Sequence, residues 1–266
     1  MEEALNYIEK NKASWNNKTD YHINSDFYDM DNFLKGKSSL NDIELKLLGE
    51  ITGKTILHLQ CHFGQDSISL ARMGAAVTGV DLSDNAISKA TGIAKQLDAT
   101  ADFICCNIYD LPKHLDKKFD IVFTSYGTIG WLPDLDQWAA IVSKYLKPGG
   151  KFVFVEFHPV IWMYDDDFEN VKYNYSKSDP IIETVSGTYA DRSAPITTET
   201  VNWNHGISEV VNSLIKHGLE INILNEYDYS PYNCFNKTEE FEPGKFRIKH
   251  FGNMIPMVYA ILATKK

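Results

Sequence analysis

The sequence lacks the features of a disulfide scaffold, a membrane-spanning protein or a secreted precursor. Its four cysteines include no Cys-x-x-Cys pair, so neither a disulfide framework nor a structural zinc site is expected. No stretch approaches the roughly 20 apolar residues of a membrane helix. The first residues, MEEALNYIEKNK, have neither the basic start nor the apolar run of a signal peptide. We therefore expect a soluble cytoplasmic protein with reduced thiols.

Basic residues are also scarce, because 26 Lys and Arg stand against 36 Asp and Glu and give a net charge of −10. A nucleic-acid partner would normally meet a basic surface. The charge argues against such a partner, although a local basic groove on an acidic protein would be compatible with one. The 266 residues are 44% hydrophobic and 23% charged, as in an ordinary globular protein of one large or two small domains.

Short apolar stretches alternate with helical patterns from residue 55 to residue 157. The predicted strands are Thr55–Gln60, Ala76–Val80, Asp102–Cys106, Phe119–Thr124 and Lys151–Phe157. Helices are predicted over Ser67–Met73, from Ser83 to Leu97 and over Leu135–Leu146. Strands that are apolar on both faces fit a parallel sheet covered by helices on each side. The alternation predicts a doubly wound α/β fold, with its ligands at the carboxyl ends of the strands.

The pattern changes on both sides of this core, which spans residues 41–157. Residues 1–40 form an aromatic, Asn-rich arm, and a helix follows at about Leu40–Ile51. Residues 158–204 are predicted to form a lid inserted after the fifth strand. The remaining elements are strand-like stretches at Ile181–Ala190 and Ile196–Trp203, a helix over Ile207–His217, a strand over Leu219–Tyr229, a loop, and a strand over Met254–Thr264. Residues 205–266 then complete the sheet, so we predict a single domain over residues 1–266.

The first predicted strand runs into a turn that is poor in glycine. The segment Ile56–Ile68 reads ILHLQCHFGQDSI. It resembles the first motif of the class I S-adenosylmethionine-dependent methyltransferases, in which a strand with an acidic residue leads into Gly-x-Gly-x-Gly. Here His58 replaces the acidic residue, Gln60 and His62 replace two glycines, and Gly64 keeps its place. Because glycine permits positive φ and close ligand approach, we expect a different turn or side chains that touch the cofactor.

The elements that follow strengthen the resemblance. Asp81 ends the second strand in the segment GVDLS, where a carboxylate can accept hydrogen bonds from both hydroxyls of a ribose. The resemblance implies that Asn107 meets the adenine amine and that Ile108 covers the adenine ring. The segments FDIVFTSY and LKPGG also match the family. The resemblance is close over residues 50–157 and extends in outline over residues 205–264.

The resemblance implies a Rossmann-like methyltransferase sheet, mostly parallel with an antiparallel last strand, and S-adenosyl-L-methionine as the cofactor of the core. The predicted cofactor-binding residues are Gln60, Cys61, His62, Gly64, Asp81, Leu82, Asn107, Ile108, Ser125, Tyr126 and, from the arm, Tyr28. A nicotinamide or flavin dinucleotide is disfavoured, because its pyrophosphate needs Gly-x-Gly-x-x-Gly and the turn QCHFGQ offers one glycine.

The methyl acceptor must be inferred from the walls of the site, because methyl transfer needs alignment and only for some acceptors a base. The fourth strand ends in SYGT and lacks the Asn/Asp-Pro-Pro-aromatic motif that resembling enzymes use on base amines. Residues 157–204 include eight aromatic, eight acidic and three basic residues. This composition favours an uncharged or cationic small molecule.

The candidate catalytic residues are His158, His205 and Glu156. An imidazole, with a pKa of about 6.5, can act as a general base, and a helix N-terminus would keep His205 neutral. No ligand pair has helix spacing, so no metal is expected. We hypothesise methyl transfer to a small-molecule O, N or S nucleophile by a monomer or homodimer. The alternatives are a non-catalytic S-adenosylmethionine-binding regulatory or partner protein and, more weakly, a protein or RNA methyltransferase.

Overall fold

The computed structural model describes the backbone of residues 2–266 and the side chains of residues 6–266. Its helices are α1 (Glu2–His22), α2 (Met30–Leu34), α3 (Asp42–Leu48), α4 (Gln65–Arg72), α5 (Asp84–Gln96), α6 (Leu135–Tyr145) and α7 (Ile207–Lys216). Its strands are β1 (Thr55–Leu59), β2 (Ala76–Asp81), β3 (Ala101–Cys105), β4 (Phe119–Ser125), β5 (Leu146–Phe157), β6 (Ile181–Ser186), β7 (Thr197–Asn202), β8 (Leu219–Tyr227), β9 (Thr238–Glu242), β10 (Lys245–Ile248) and β11 (Val258–Lys265).

Within residues 2–266, seven strands form one sheet in the order β3-β2-β1-β4-β5-β11-β8. The pairings from β3 to β5 are parallel, and β11 runs antiparallel to both β5 and β8. This confirms the predicted mostly parallel sheet with an antiparallel last strand. The strand order reverses between β1 and β4, which places a ligand crevice at the carboxyl ends of these strands.

Apolar side chains cover both faces of the sheet. One cluster packs beneath α6 and α7 and includes the rings of Trp138, Phe152 and Phe154. The other packs beneath α3 and α4 and includes Leu48 and Val153. Burial of each such side chain contributes about 1.5–3 kcal/mol. Because both faces are covered, the central strands lack polar alternation, which is why the sequence reads there as continuous apolar runs.

Most of the predicted arm is helical, since α1 occupies its first half; Met1 lies outside the described residues. Tertiary hydrogen bonds fasten this helix. The Asn11 side chain accepts from the Val201 N–H at 2.9 Å and donates to the Val201 carbonyl at 2.8 Å. The Asn16 side-chain oxygen accepts from the Ser83 hydroxyl at 2.6 Å. Polar side chains make these contacts, so the sequence of α1 does not show the wide apolar stripe that is typical of an amphipathic helix.

Two hairpins lie outside the main sheet. The pair β6 and β7 occupies the segment inserted after β5, and β6 ends at Ser186 because Gly187 turns the chain with φ of 72°. The pair β9 and β10 lies between β8 and β11, where the sequence analysis expects a loop. That expectation is wrong. TEEFE is largely exposed and has one apolar residue, and KFRI alternates polar and apolar residues over only four positions, so the two strands are too short and too polar for a clear strand pattern.

Gly79 on β2 is a close-packing position. A Cβ atom there would lie 2.7 Å from the Phe103 ring and 2.8 Å from the sulfur of Cys61. We therefore expect Gly79→Ala to lower the free energy of unfolding by about 1–3 kcal/mol in a denaturant titration. The control is Gly92→Ala on the exposed face of α5, where no atom would lie within 4 Å; helix propensity predicts a gain of up to about 1 kcal/mol. Equal stability of the two variants would contradict this packing.

Candidate active site

A cavity of about 1020 Å³ lies at the carboxyl ends of the parallel strands, beneath α1 and the inserted segment. Pockets for drug-sized ligands usually have roughly 300–1,000 Å³, so this one has room for two small molecules. All of the predicted cofactor-binding residues line it, and so do Glu156 and His205. The structure thus brings together side chains from the arm, the first turn and the exits of β2, β3, β4 and β5.

The turn after β1 has left-handed backbone at the three glycine positions of the resembling motif. The φ angle is 56° at Gln60, 50° at His62 and 81° at Gly64. Such a conformation costs a non-glycine residue about 1–3 kcal/mol, so surrounding contacts must maintain it. Gln60 Nε2 donates to the carbonyl of Thr128 at 2.8 Å, and His62 Nε2 lies 3.0 Å from His22 Nδ1. The turn therefore has the glycine-like path and also presents two large side chains to the cavity.

Asp81 ends β2 with its carboxylate against this turn. One oxygen accepts from the His62 N–H at 2.8 Å and the other from the Ser83 N–H at 2.9 Å. Burial raises the pKa of Asp81, and these backbone bonds oppose the rise. Because each carboxylate oxygen has a further lone pair, the fixed group can still accept hydrogen bonds from two neighbouring hydroxyls of a ligand.

Asn107 and Ile108 follow β3 at the same edge of the cavity. Asn107 Oδ1 accepts from the Tyr109 N–H at 3.1 Å and caps the short helix over Ile108–Lys113. Ile108 is buried in the apolar cluster under α6 and lines the cavity. The cap fixes the Asn107 amide beside an apolar surface, an arrangement that suits the polar edge and the face of a flat heterocycle.

His158, a predicted catalytic residue, lies outside the residues that line the cavity. Its ring faces β8, where Nε2 lies 2.8 Å from Glu226 Oε1, and Nδ1 accepts from the Val160 N–H at 3.2 Å. Burial lowers the pKa of His158, and Glu226 opposes this shift. His158 lies at the end of the fifth parallel strand, as the sequence predicted, but its ring points toward β8 because of how that strand packs.

Glu156 and His205 line the cavity with their polar atoms already engaged. The Glu156 carboxylate accepts hydrogen bonds from the backbone N–H groups of residues 127–129 and so fixes the loop after β4. His205 Nε2 lies 2.9 Å from the Leu132 carbonyl, and Nδ1 lies 3.0 Å from Glu209 Oε2. This geometry favours positioning roles for both residues.

Glu44 on α3 is a buried group that the sequence analysis missed. Its Oε2 accepts from the hydroxyl of Tyr126, a cavity residue, at 2.8 Å. Burial raises the pKa of Glu44 to about 7, and the charge of Asp66 adds to the rise. In the sequence, Asn41-x-x-Glu44 is only a capping box, which the structure also shows. That pattern does not reveal that the second carboxylate oxygen supports a wall of the cavity.

Aromatic rings from distant segments form a continuous series at the cavity, and all of them except His22 line it. Consecutive ring centroids are less than 6 Å apart along the series His62, His22, Tyr189, Phe27, Tyr232, Tyr126, Phe157 and Trp162. The hydroxyls of Tyr28 and Tyr189 also hydrogen-bond to each other. Contacts between these rings therefore join the arm, the first turn, the lid and the end of β4. The sequence alone could not predict which rings meet.

The buried carboxyl of Glu44 predicts a pH-dependent stability. Its pKa in the folded state, about 7, exceeds the ordinary 4.5, so the folded protein binds the proton more tightly than the unfolded chain does. The contribution of Glu44 to the free energy of unfolding should therefore fall by up to about 3 kcal/mol as the pH rises from about 4.5 to about 7. Urea titrations across this range measure the slope.

Glu44→Gln should remove this contribution from the pH dependence of the wild type, because the amide keeps the shape and does not titrate. The matched control is Glu50→Gln, at an exposed residue that follows α3. The hydrogen bond to Thr52 lowers the pKa of Glu50, so this variant should leave the slope between pH 5 and pH 7 unchanged. An unchanged slope in Glu44→Gln would contradict the raised pKa of Glu44.

Comparison with known proteins finds similarity to methyltransferases. Residues 56–150 match the family model described as a methyltransferase domain. The ubiquinone biosynthesis O-methyltransferase of Coxiella burnetii is 33% identical over 118 residues, which cover 43% of this chain and 50% of that protein. The enzyme of the same name from Idiomarina loihiensis is 31% identical over 134 residues, or 49% of this chain and 55% of that protein. The chain thus spans about half the length of these curated relatives.

Solved structures show the same fold. An S-adenosylmethionine-dependent methyltransferase from Methanosarcina mazei superimposes with a TM-score of 0.59 at 22% identity, covering 85% of this chain and 98% of that one. Geranyl diphosphate C-methyltransferase from Streptomyces coelicolor, solved with Mg²⁺, geranyl diphosphate and S-adenosyl-L-homocysteine, gives a TM-score of 0.55 at 15% identity, covering 84% and 78%.

The fold is that of a Rossmann-like α/β domain, and its ligand cavity lies where the strand order of the sheet reverses. Residues 56–150 match a methyltransferase domain, and solved S-adenosylmethionine-dependent methyltransferases share the fold, which confirms the resemblance found in the sequence. None of the helices in residues 2–266 has the length and apolarity to cross a membrane. The same residues contain no group of three or more His, Cys, Asp or Glu side chains placed to hold a metal ion.

Proposed function

We propose that the protein transfers a methyl group from S-adenosyl-L-methionine to a small-molecule nucleophile. The observation that carries this proposal is one cavity lined by a fixed carboxylate, a left-handed turn, the apolar side chain of Ile108 and a series of aromatic rings. Its volume accommodates a cofactor and an acceptor side by side. The reaction is a displacement at a sulfonium methyl, so alignment of the two molecules contributes most of the catalysis.

In this proposal the cofactor lies along the exits of β1, β2 and β3. The ribose hydroxyls donate to Asp81, and the adenine ring lies between Leu82 and Ile108 with its polar edge at Asn107. The methionine part follows the turn at residues 60–64 toward Ser125 and Tyr126. Support comes from the hydrogen bonds that fix these groups and from the fold shared with the C-methyltransferase solved with S-adenosyl-L-homocysteine.

The acceptor then occupies the aromatic part of the cavity, between Tyr126, Phe157 and Tyr232. The names of the O-methyltransferase relatives favour a hydroxyl nucleophile, and the carboxyl groups of Asp66 and Glu44 beside this region favour an uncharged or cationic molecule over an anion. We infer an O, N or S nucleophile on a small, ring-bearing molecule. The lid and the arm both line the cavity, which favours a small molecule over a protein or RNA substrate.

Proton removal in this proposal belongs to the pair of Tyr126 and Glu44. The Tyr126 hydroxyl donates to Glu44, so it can accept the acceptor's proton as it passes its own to the carboxylate. A carboxyl with a pKa of about 7 suits this role near neutral pH. His158, His205 and Glu156 serve in positioning, because their polar atoms are held by protein partners.

Cofactor binding is tested first. Calorimetry should show micromolar binding of S-adenosylhomocysteine, and Asp81→Ala should weaken it at least tenfold, because charge-assisted bonds to ribose contribute about 1.5–3 kcal/mol. Asp110→Asn is the control, since this carboxylate lies near the exit of β3 and pairs with Lys113 on the surface. Absence of micromolar binding would reject the proposed function, whereas an unchanged affinity in Asp81→Ala would remove Asp81 from the ribose site.

Catalysis is tested by incubating the protein with S-adenosylmethionine and a panel of phenols, amines and thiols. We expect S-adenosylhomocysteine to form with at least one ring-bearing acceptor, and Glu44→Gln to slow its formation at neutral pH while cofactor affinity stays within twofold. A regulatory or partner protein that only binds the cofactor would release none with any acceptor. Cofactor binding without turnover across the panel therefore favours that alternative.

A further inference from the structure

Lys18 on α1 is a buried cation that the site as described does not use. The residue is 7% exposed, and it lines the cavity. Its ammonium lies 5.3 Å from the ring centroid of Trp15 and 5.5 Å from that of Trp131. Aromatic faces attract a cation, but they provide no oxygen to accept its three N–H bonds.

The ammonium lacks a hydrogen-bond or ion-pair partner among residues 6–266. Burial lowers its pKa to about 8, with no opposing contribution from a nearby carboxylate. The other basic side chains that line the cavity are satisfied: Lys37 pairs with Asp29 at 2.8 Å, and Arg192 donates to the carbonyl of Phe235 at 2.9 Å. A buried charge without a partner is costly to a fold, so its presence on a cavity wall points to an anion brought by a ligand.

The surroundings of Lys18 place this anion at the first turn. The ammonium lies 5.3 Å from the Trp15 ring centroid, which is 5.2 Å from that of His62 and 6.0 Å from that of His22, so Lys18 lies beside the His22–His62 contact. His62 belongs to the turn, and its N–H is bound to Asp81. Lys18 therefore lies beside the turn, at the end of the cavity proposed for the cofactor.

We propose that Lys18 binds a carboxylate group of a bound small molecule and is the specificity-determining cation of the cavity. The assignment rests on the proposed function. Two sources share this chemistry: the amino-acid carboxylate of S-adenosylmethionine and a carboxylate on the methyl acceptor. The position beside the turn favours the first source. In either case the ligand supplies the counter-charge that residues 6–266 do not supply.

The test compares S-adenosylhomocysteine with 5′-methylthioadenosine, which has the same nucleoside and thioether but no amino-acid part. In calorimetry at pH 7, Lys18→Met should weaken S-adenosylhomocysteine at least tenfold and change 5′-methylthioadenosine less than twofold. Methionine keeps an unbranched side chain between the two tryptophan rings. Lys18→Arg should restore most of the loss. Lys12→Met is the matched control on α1, because Lys12 pairs with Asp84 outside the cavity.

A pH series gives a second readout. The wild-type affinity for S-adenosylhomocysteine should decline above about pH 8 more steeply than that of Lys18→Met, because only the charged amine pairs with a carboxylate. Ligand-free Lys18→Met should melt no lower than the wild type, since it loses an unpaired buried charge. A lower melting temperature together with equal weakening of both nucleosides would show a structural role and overturn the assignment.

The remaining outcomes separate the two sources. If Lys18→Met binds S-adenosylhomocysteine normally, benzoate is titrated into both proteins saturated with S-adenosylhomocysteine. Loss of benzoate binding in the variant would assign the carboxylate to the acceptor, and equal behaviour of the two proteins would overturn the proposal. A wild-type protein that binds neither nucleoside would instead reject the proposed function, and the carboxylate assignment would fall with it.

Discussion

The hydrogen bond from the His62 N–H to the Asp81 carboxylate is the contact on which the site depends. It joins the turn after β1 to the end of β2, and it holds a histidine in left-handed backbone that glycine would adopt without strain. The Gln60 side chain joins the turn to the loop after β4 by donating to the carbonyl of Thr128. The Glu156 carboxylate, at the end of β5, accepts from the N–H groups of residues 127–129 in that loop. The exits of four neighbouring strands are therefore tied together by polar groups before any ligand enters.

The arm and the lid, which cover the cavity, are held by contacts of a different kind from those that hold the sheet beneath it. The strands below are held by apolar burial on both faces of the sheet. The arm meets the lid through the paired bonds of Asn11 with Val201 and the hydroxyl contact of Tyr28 with Tyr189. A typical intramolecular hydrogen bond contributes about 1 kcal/mol net. Opening these contacts between the arm and the lid therefore costs less than disrupting the core, which suits a site that must admit and release ligands.

The sequence predicted the parts of the molecule whose pattern is local. Strands buried on both faces show as apolar runs, and the position of Asp81 at a strand end was enough to bring it to the cavity. Side-chain direction was not predictable in the same way: His158 turns to Glu226 because of how β8 packs. Glu44 was hidden within an ordinary capping box, and α1 was hidden because polar contacts hold it. Each of these depends on residues far away in the chain.

The charges of the cavity divide it into two unlike regions. Lys18 lies near the first turn without a partner oxygen in the described residues, while Asp66 and Glu44 lie near Tyr126 with raised pKa values. Burial weakens the screening by water, so each charge acts strongly on whatever lies beside it. A ligand with an anionic end and a cationic or neutral end is then oriented before close contacts form. The net charge of −10 consequently says less about the ligand than the position of one unpaired cation does.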